Sequence, residues 1–364
     1  MGHRECTLAG LGLIITMRNF WQGKRVFLTG HTGFKGSWMA LWLSRLGAEV
    51  TGFALQPYTV PSLFEQLEIA GRTHSQIGDI TVAGDLHHAL DDARPDVVFH
   101  LAAQSLVLRS YVDTVATWQT NVMGTVNVLE ALRDIGRAAT VVAITTDKVY
   151  RNTETHHAYR EGDPLGGIDP YSASKAGSEL VISSYQSLFK QENLPIRLAS
   201  ARAGNVIGGG DWCENRLVPD IARALIAGQP LVTRNPGAVR PWQHVLEPLA
   251  GYMRLAEALH GDPRFIDAYN FGPDINDNRT VEDVIKEALK TWTGTYNVTD
   301  NSNTKHEAGL LMLDIAKAKQ ELHWAPRWGF ARAVEQTMRW YRDVHEGADP
   351  IALSLQQITE FEAA

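Results

Sequence analysis

The chain has 364 residues, of which 34 are Lys or Arg and 41 are Asp or Glu, so its formal net charge is −7. This acidic balance argues against nucleic acid as the main partner, because nucleic-acid binding usually requires a basic face. The length and the 44% hydrophobic content allow one large domain or two closely joined domains, with a sizeable core. The two cysteines, Cys6 and Cys213, are far apart, which predicts no disulfide framework, no metal site and a cytoplasmic location.

We expect residues 1–19 to form a leader outside the fold, either disordered or preceding a true start at Met17. The apolar run at 8–16 is too short to span a bilayer, and no convincing signal-peptide cleavage site follows it. No transmembrane helix is predicted elsewhere, so we expect no membrane association.

Residues 20–203 alternate between predicted strands and predicted helices. The strands are runs of apolar residues, which suit strands buried on both faces of a parallel sheet. They lie at 25–29, 49–54, 97–102, 140–145 and 196–201, and the main helices at 36–46, 114–135 and 171–189. This order predicts an α/β fold with a doubly wound parallel sheet of the Rossmann type, that is, a dinucleotide-binding domain.

The pattern changes after residue 203. A glycine loop at 208–210 and a helix near 219–227 are followed by short elements separated by Pro and Gly. We therefore predict a smaller, mainly C-terminal α/β substrate lobe at 204–350, with a return strand to the main sheet near 268–271. Residues 351–364 are expected to be a tail.

A glycine-rich turn joins the first strand to the first helix. Gly30, Gly33 and Gly36 have the spacing of a dinucleotide-binding turn, in which glycine permits a tight bend and close approach to a pyrophosphate. The amide groups at the helix N-terminus can bind the phosphates, so Thr32 and Phe34 are further candidate cofactor contacts.

The choice between NAD and NADP stays open at this point. The second strand ends in the sequence FALQP at 53–57, which contains neither the acidic residue that binds the NAD ribose nor an arginine for a 2′-phosphate. Asp79 and Ile80 are candidate contacts for the adenine edge of the cofactor.

The candidate catalytic group has five residues, three directly after the fourth predicted strand and two on the helix that follows. Tyr171 and Lys175 are four residues apart on a predicted helix and so share a face. A neighbouring ammonium is expected to lower the pKa of the Tyr171 phenol, which would make it a base toward a substrate hydroxyl. Thr146, Asp147 and Lys148 follow an apolar strand, where ligands bind in such sheets.

Four longer motifs carry a resemblance to a known family. They are HTGFKGSW at 31–38, TDK at 146–148, RAGNVIGGGDW at 202–212 and RPWQHV at 240–245. Together with the glycine turn and the Tyr/Lys pair, they resemble the CDP-glucose 4,6-dehydratases of the extended short-chain dehydrogenase/reductase family. The resemblance runs from about residue 20 to residue 340. Lys148 stands where most sugar-nucleotide dehydratases of this group carry Glu.

The resemblance implies an NAD-dependent lyase that converts CDP-glucose to CDP-4-keto-6-deoxyglucose. Tyr171, supported by Lys175 and Thr146, would remove the proton from the sugar 4-hydroxyl. Lys148 would act as the base at C5, and Asp147 would protonate the leaving 6-hydroxyl. Leu101, Ala102 and Ala103 would contact the cofactor, as would Tyr171 and Lys175.

The resemblance also implies a substrate-binding set and a quaternary structure. The helices at 114–135 and 171–189 would build a four-helix homodimer interface. Arg240 and Asn205 are the main candidates for the diphosphate and sugar, with weaker candidates elsewhere. The complete substrate set is Gln104, Asn205, Arg216, Arg240, Asn270 and His306.

Three alternatives remain open from the residues alone. A 4-epimerase or dehydrogenase of the same family would need Tyr171 and Lys175 but not the Asp147–Lys148 pair. A non-catalytic dinucleotide sensor could use the same fold without an intact catalytic set. A membrane-tethered scaffold would use the leader.

Overall fold

The computed structural model describes residues 19–233, 235–298 and 310–364. Its centre is a seven-stranded sheet in which every neighbouring pair is parallel. In chain order the strands are β1 (Arg25–Thr29), β2 (Glu49–Ala54), β3 (His74–Ile77), β4 (Val97–His100), β5 (Ala139–Ile144), β6 (Ile196–Ala203) and β7 (Ala268–Phe271). Their order across the sheet is β7-β6-β5-β4-β1-β2-β3, which is a doubly wound Rossmann arrangement and confirms the predicted fold class.

Helices cover both faces of this sheet. The longer ones are α1 (Phe34–Arg45), α2 (Ala83–Ala93), α3 (Gly124–Ile135), α4 (Pro170–Gln191), α5 (Leu217–Ile226), α6 (Leu246–Gly261), α7 (Val281–Thr291), α8 (Phe330–His345) and α9 (Pro350–Glu362). The shorter ones are Leu63–Gln66, Val107–Ser110, Thr114–Trp118 and Ala316–Glu321. Short strands pair in twos: Ala158–Tyr159 with Met312–Leu313, Val206–Ile207 with Gln243–His244, Leu231–Thr233 with Tyr296–Val298, and Val239–Arg240 with Arg279–Thr280.

The sequence explains why the central elements form where they do. All six residues of β5 and all four of β4 are buried, as their mainly apolar sequences favour in a sheet covered on both sides. Helix α4 begins at Pro170, with the Asp169 side chain accepting a hydrogen bond from the Ser172 amide. Proline at the first helical position and aspartate at the N-cap are favoured start signals.

The predicted single helix at 114–135 is interrupted. A helix at Thr114–Trp118 continues through a π-helical turn at Gln119–Met123 into α3. The Asn121 side chain lies in this turn and hydrogen-bonds to the Gln104 carbonyl and the Ser174 hydroxyl. The widened turn therefore directs Asn121 towards the loop after β4 and towards α4.

The C-terminal prediction was wrong. Residues 351–364 were expected to be a tail, but they form most of α9, and Ser354, Ile358 and Phe361 are buried. Their apolar side chains pack on α1 and on the segment around Trp328, so the helix is held by distant partners.

Two other expectations concern the N-terminal leader and the strand near 268–271. The expected leader lies outside the described residues except for Asn19. The segment expected to return to the main sheet lies at its edge as β7, parallel to β6. In the described part of the chain, no helix combines the length and the apolar character that a membrane span requires.

Candidate active site

The candidate site lies at the carboxyl ends of β1, β4, β5 and β6. The sheet order reverses between β1 and β4, and ligands bind at such a switch point in open α/β sheets. Thr146, Asp147 and Lys148 follow β5, and Tyr171 and Lys175 lie in the first two turns of α4. The fold therefore brings together the residues that the sequence predicted to be catalytic.

The glycine turn between β1 and α1 is too tight for larger residues. Gly30 has a φ of +79°, and a Cβ there would lie 2.8 Å from the Ala102 amide nitrogen. A Cβ on Gly36 would overlap the Gly30 carbonyl oxygen, whereas one on Gly33 would meet only that oxygen at 3.4 Å. No side chain caps the start of α1, and its first turn contains no acidic residue. The amides of Phe34 and its neighbours are therefore available to an anionic group.

The other predicted cofactor contacts surround this turn. Thr32 donates a hydrogen bond to the Leu55 carbonyl at 2.8 Å, just beyond β2. The Ala102 amide donates to the Thr29 hydroxyl at 3.1 Å, which ties the ends of β1 and β4 together. Leu101 and Ala103 flank Ala102 in that same loop and are partly buried.

Asp79 and Ile80 both have partners within the protein. The Asp79 carboxylate accepts a hydrogen bond from the Thr81 amide at 2.8 Å. The Ile80 side chain is buried against Gly124 at the start of α3, and its carbonyl accepts a hydrogen bond from Asn127. Ile80 is thus held in place by its contacts with the start of α3.

Thr146 connects the segment after β5 with Tyr171 on α4. Its hydroxyl donates a hydrogen bond to Asp147 Oδ1 at 3.0 Å and also hydrogen-bonds to the Tyr171 phenol. Lys148 Nζ lies 3.8 Å from Asp147 Oδ1 and 3.5 Å from Asn205 Oδ1. Asp147 has no solvent-accessible surface, and its Oδ2 has no hydrogen-bond partner among the described residues. A sugar hydroxyl can therefore reach Asp147 only after a small displacement.

The expected effect of Lys175 on Tyr171 was wrong for this structure. Burial raises the pKa of Tyr171 to about 12, and the Thr146 hydrogen bond only partly opposes it. Lys175 donates a hydrogen bond from Nζ to the Ile144 carbonyl at 2.8 Å. Burial lowers the pKa of Lys175 to about 8, although nearby Glu179 raises it. The i, i+4 spacing alone could not predict this desolvation.

A buried ionic network under the site was missed by the sequence analysis. The Glu179 carboxylate accepts hydrogen bonds from Thr145, Ser200 and Arg202. Arg202 in turn donates to the Tyr150 hydroxyl at 2.9 Å. The network ties the ends of β5 and β6 to α4 and so fixes the backbone that carries Thr146 and Tyr171. A Glu one turn after Lys175 was the available signal.

Lys35 was also missed as a candidate site residue. Its Nζ lies 6.0 Å from the centre of the buried Tyr252 ring. Burial, together with the positive charges of Arg216 and Lys175, lowers the pKa of Lys35 to about 7. A lysine inside an otherwise apolar helix start was the signal in the sequence. It adds a cation to a site that already contains Lys148, Lys175 and Arg216.

Three of the predicted substrate residues lie near the catalytic group or in the predicted C-terminal lobe. Asn205 contacts Lys148, as described above. Arg216 donates a hydrogen bond to Asp211 at 2.7 Å, and its positive charge lowers the pKa of Tyr171. Arg240 is buried in a short strand, and one of its NH groups donates to the Val239 carbonyl.

The other substrate candidates are placed differently. The Gln104 side chain closes its own loop, since its oxygen accepts from the Leu106 amide and its nitrogen donates to Leu106 and Thr117. Asn270 is fully buried, and its amide hydrogen-bonds to Tyr150, Tyr159 and Asp314. Asn270 therefore belongs to the core, which corrects its assignment. His306 lies outside the described residues.

The chain is similar over most of its length to known sugar-nucleotide dehydratases. A family model for GDP-mannose 4,6 dehydratase matches residues 27–337. The chain is 45% identical over 353 residues to a CDP-glucose 4,6-dehydratase from Salmonella typhimurium, covering 95% of this chain and 98% of that protein. It is 30% identical over 336 residues to a dTDP-glucose 4,6-dehydratase from Streptomyces antibioticus, covering 90% and 95%. A dTDP-glucose 4,6-dehydratase structure from Streptomyces venezuelae with NAD bound matches with a TM-score of 0.77 and 26% identity, covering 90% of this chain and 99% of that one.

Proposed function

The chain belongs to the GDP-mannose 4,6-dehydratase family, and we propose that it is an NAD-dependent hydro-lyase that converts CDP-glucose to CDP-4-keto-6-deoxyglucose. The observation that carries this proposal is the cluster of Tyr171, Thr146, Asp147 and Lys148 at the end of β5. It contains a base for a hydroxyl and a separate acid–base pair for an elimination. The 45% identity to a CDP-glucose 4,6-dehydratase supports the choice of nucleotide.

The glycine turn fits a dinucleotide. A Cβ at Gly30 or Gly36 would clash with neighbouring backbone atoms, so glycine is needed for a turn this tight. The backbone amides at the start of α1 have no side-chain cap and suit a pyrophosphate. Bound NAD would supply a hydride acceptor for C4 of the sugar and a hydride donor for C6. Thr32, Phe34 and the backbone at 101–103 would hold the dinucleotide against the ends of β1 and β4.

The side chains of the site have separate tasks. Tyr171 removes the proton from the sugar 4-hydroxyl, and Thr146 orients the phenol through its hydrogen bond. Loss of this proton together with a hydride from C4 would leave a 4-ketone, which acidifies the hydrogen at C5. Lys148, as the neutral amine, would remove that hydrogen as a proton and later return it to C5, and Asp147, in its protonated form, would donate a proton to the leaving 6-hydroxyl.

The positive charges of the site suit an anionic substrate. The positive charge of Arg216 lowers the pKa of Lys35 and also that of Tyr171, so these groups interact electrostatically. We assign the diphosphate of the nucleotide sugar to Arg216 and Arg240, because guanidinium groups bind phosphate oxygens bidentately. Asn205, which contacts Lys148, would hydrogen-bond to the sugar.

The epimerase alternative is supported less well by these contacts. An epimerase needs Tyr171 and Lys175 but has no use for a lysine 3.8 Å from a buried carboxylate. A non-catalytic sensor would not need Thr146 hydrogen-bonded to Tyr171. The elimination reaction uses all of these groups.

A substrate assay tests the proposal. The purified chain is incubated with NAD and with CDP-, UDP-, dTDP- and GDP-glucose, and the products are identified by mass spectrometry. We expect CDP-glucose to lose one water. Lys148→Ala and Asp147→Asn should each lower the rate by about 10²- to 10⁴-fold, and Lys190→Ala, an exposed change on α4, should not. A C4 epimer of unchanged mass would support the epimerase instead.

The proposal includes a homodimer built on the helices at Thr114–Trp118 and α4. Val115, Trp118, Met123 and Leu180 are large apolar side chains that remain exposed there. Such an apolar patch on a folded surface is typical of a protein–protein interface. Leu180→Glu should shift sedimentation from dimer to monomer, whereas Ile275→Glu, at an exposed apolar residue elsewhere, should not. A monomeric wild-type chain would refute the dimer.

We also propose that the enzyme works in the cytoplasm. The chain contains only two cysteines, which is typical of proteins that fold without a disulfide framework. Fractionation of cells that produce the chain tests this location.

A further inference from the structure

Arg216 joins two loops that lie far apart in the sequence. It is the residue immediately before α5, and its Nη1 donates a hydrogen bond to Asp211 Oδ2 at 2.7 Å. Its Nη2 donates to the Ser105 hydroxyl at 3.0 Å, in the loop that follows β4. The guanidinium therefore connects a loop of the predicted substrate lobe with the loop that carries the predicted cofactor contacts at 101–103.

Asp211 is an acceptor with a fixed position. Its side chain is 4% exposed, and its other oxygen accepts a hydrogen bond from the Cys213 amide at 3.1 Å. The Tyr341 hydroxyl on α8 donates to the Asp211 carbonyl. Arg223 on α5 donates to the carbonyls of Trp212 and Cys213. Contacts with two helices thus set the position of the Asp211 carboxylate independently of Arg216.

The Arg216 guanidinium keeps donors for a ligand. A guanidinium has five N–H groups, and Asp211 and Ser105 use two of them. The other three have no hydrogen-bond acceptor among the described residues, and the side chain is 32% exposed. The positive charge of Arg216 lowers the pKa of Tyr171, which supports a position close to the catalytic group. An anion that enters the site can therefore bind Arg216 without displacing Asp211.

We propose that Asp211 is a positioning residue, which orients Arg216 so that its remaining N–H groups bind the diphosphate of the nucleotide sugar. This role rests on the proposed function, in which Arg216 contacts that diphosphate. The contact with Ser105 is the weaker of the two, because its acceptor is an exposed and neutral hydroxyl, whereas Asp211 is a buried carboxylate. Asp211 is therefore the main anchor of the guanidinium.

An aspartate beside a diphosphate site has two opposing effects. Its negative charge repels an anionic ligand, so by charge alone its removal should strengthen binding. Its contact with Arg216 fixes the direction of the guanidinium, so less side-chain entropy is lost when the ligand binds. Positioning must outweigh repulsion for the role that we propose. Loss of the negative charge of Asp211 should therefore weaken the binding of an anion.

Asp211→Asn tests this sign. The variant keeps the shape of the side chain and an oxygen that can accept the Cys213 amide, but it loses the charge that holds Arg216. Isothermal titration calorimetry measures the dissociation constant of CDP for the full chain in the presence of NAD. We expect Asp211→Asn to bind CDP about tenfold more weakly than the wild type. Binding as tight as that of the wild type, or tighter, would overturn the proposal.

A double-mutant cycle shows whether the effect passes through Arg216. Arg216→Ala should bind CDP about a hundredfold more weakly than the wild type. Once the guanidinium is gone, only the repulsion from Asp211 remains, so adding Asp211→Asn should leave binding unchanged or strengthen it. An equal loss from Asp211→Asn in both backgrounds would mean that Asp211 acts through its loop, which would also overturn the proposal.

Two controls complete the design. Asp91→Asn removes an exposed ion pair with Arg137 and should change CDP binding by less than about twofold. Melting temperatures of all variants should stay close to that of the wild type, which separates positioning from misfolding. A chain that binds CDP with the expected cycle but removes no water from CDP-glucose would refute the proposed reaction and not the role of Asp211. An active wild type without coupling in the cycle would refute only the role of Asp211.

Discussion

Single residues in the site derive their chemistry from burial as much as from their type. Tyr171 and Lys175 are one helical turn apart, as predicted, but desolvation raises the pKa of the phenol and lowers that of the amine. Both shifts favour the neutral forms of these side chains relative to their unperturbed states.

Tyr171→Phe removes the phenol and keeps the ring. We expect turnover of CDP-glucose to fall by about 10²- to 10⁴-fold, because the base is lost while packing is retained. Steady-state kinetics and a melting curve measure both effects. Tyr185→Phe, on the same helix but hydrogen-bonded to Glu130, is the control and should keep its activity. Equal losses in both variants would refute the assignment.

Lys35→Met tests the buried amine next to Tyr252. The pKa of Lys35 is about 7 in the folded chain and 10.5 when unperturbed, so between these pH values the unfolded chain binds more protons. The free energy of unfolding of the wild type should therefore gain a contribution as pH rises from 7 to 10.5, and this contribution is absent at and below pH 7. Lys35→Met lacks this dependence, so its advantage in melting temperature should be largest near pH 7 and shrink at alkaline pH. Lys190→Met, an exposed change, should alter the melting temperature little at pH 7.

At the scale of elements, the turn between β1 and α1 leaves little room for any residue other than glycine. Gly36 lies against the Gly30 carbonyl, and Gly30 against the Ala102 amide, so three backbone segments meet without side chains between them. This contact positions the first turn of α1 above the ends of β1 and β4. The same turn places Lys35 beside Tyr252.

Gly36→Ala should break this contact. Its Cβ would overlap the Gly30 oxygen, so we expect a loss of about 3 kcal/mol in the free energy of unfolding, together with weaker NAD binding. Urea denaturation and fluorescence titration measure the two effects. Gly84→Ala in α2, where a Cβ meets nothing within 4 Å, should instead stabilise the chain by about 0.5 kcal/mol. Similar losses in both variants would contradict the argument.

At the scale of the whole molecule, the two predicted halves are interleaved. Strand β7 returns to the edge of the main sheet beside β6. The last helix, α9, packs on α1, where Trp42 donates a hydrogen bond to Glu362 at 2.8 Å. The end of the chain therefore supports the helix that begins at the glycine turn.

Phe361→Ala tests this support. Phe361 is fully buried and packs edge-on against Trp42 and Trp328. We expect the free energy of unfolding to fall by about 3–5 kcal/mol, because a large cavity is left in the core. Urea denaturation measures this loss. Gln356→Ala, on the exposed side of the same helix, should change it by less than about 0.5 kcal/mol. A small effect at Phe361 would mean that α9 is dispensable.

Local patterns in the sequence were sufficient for the alternation of strands and helices, the glycine turn and the group of Thr146, Asp147, Lys148, Tyr171 and Lys175. Each depends on residues close together in the chain, where spacing and polarity set the backbone conformation. The sequence also predicted that these local pieces meet, because the carboxyl ends of parallel strands share one edge of the sheet.

Only the tertiary structure decided what surrounds these residues. The raised pKa of Tyr171, the burial of Asn270, the commitment of Gln104 to its own loop and the packing of α9 all depend on partners far away in the chain. The desolvation of a group and the hydrogen bonds of its polar atoms are set by its neighbours in three dimensions. The spacing of residues along the sequence does not reveal those neighbours.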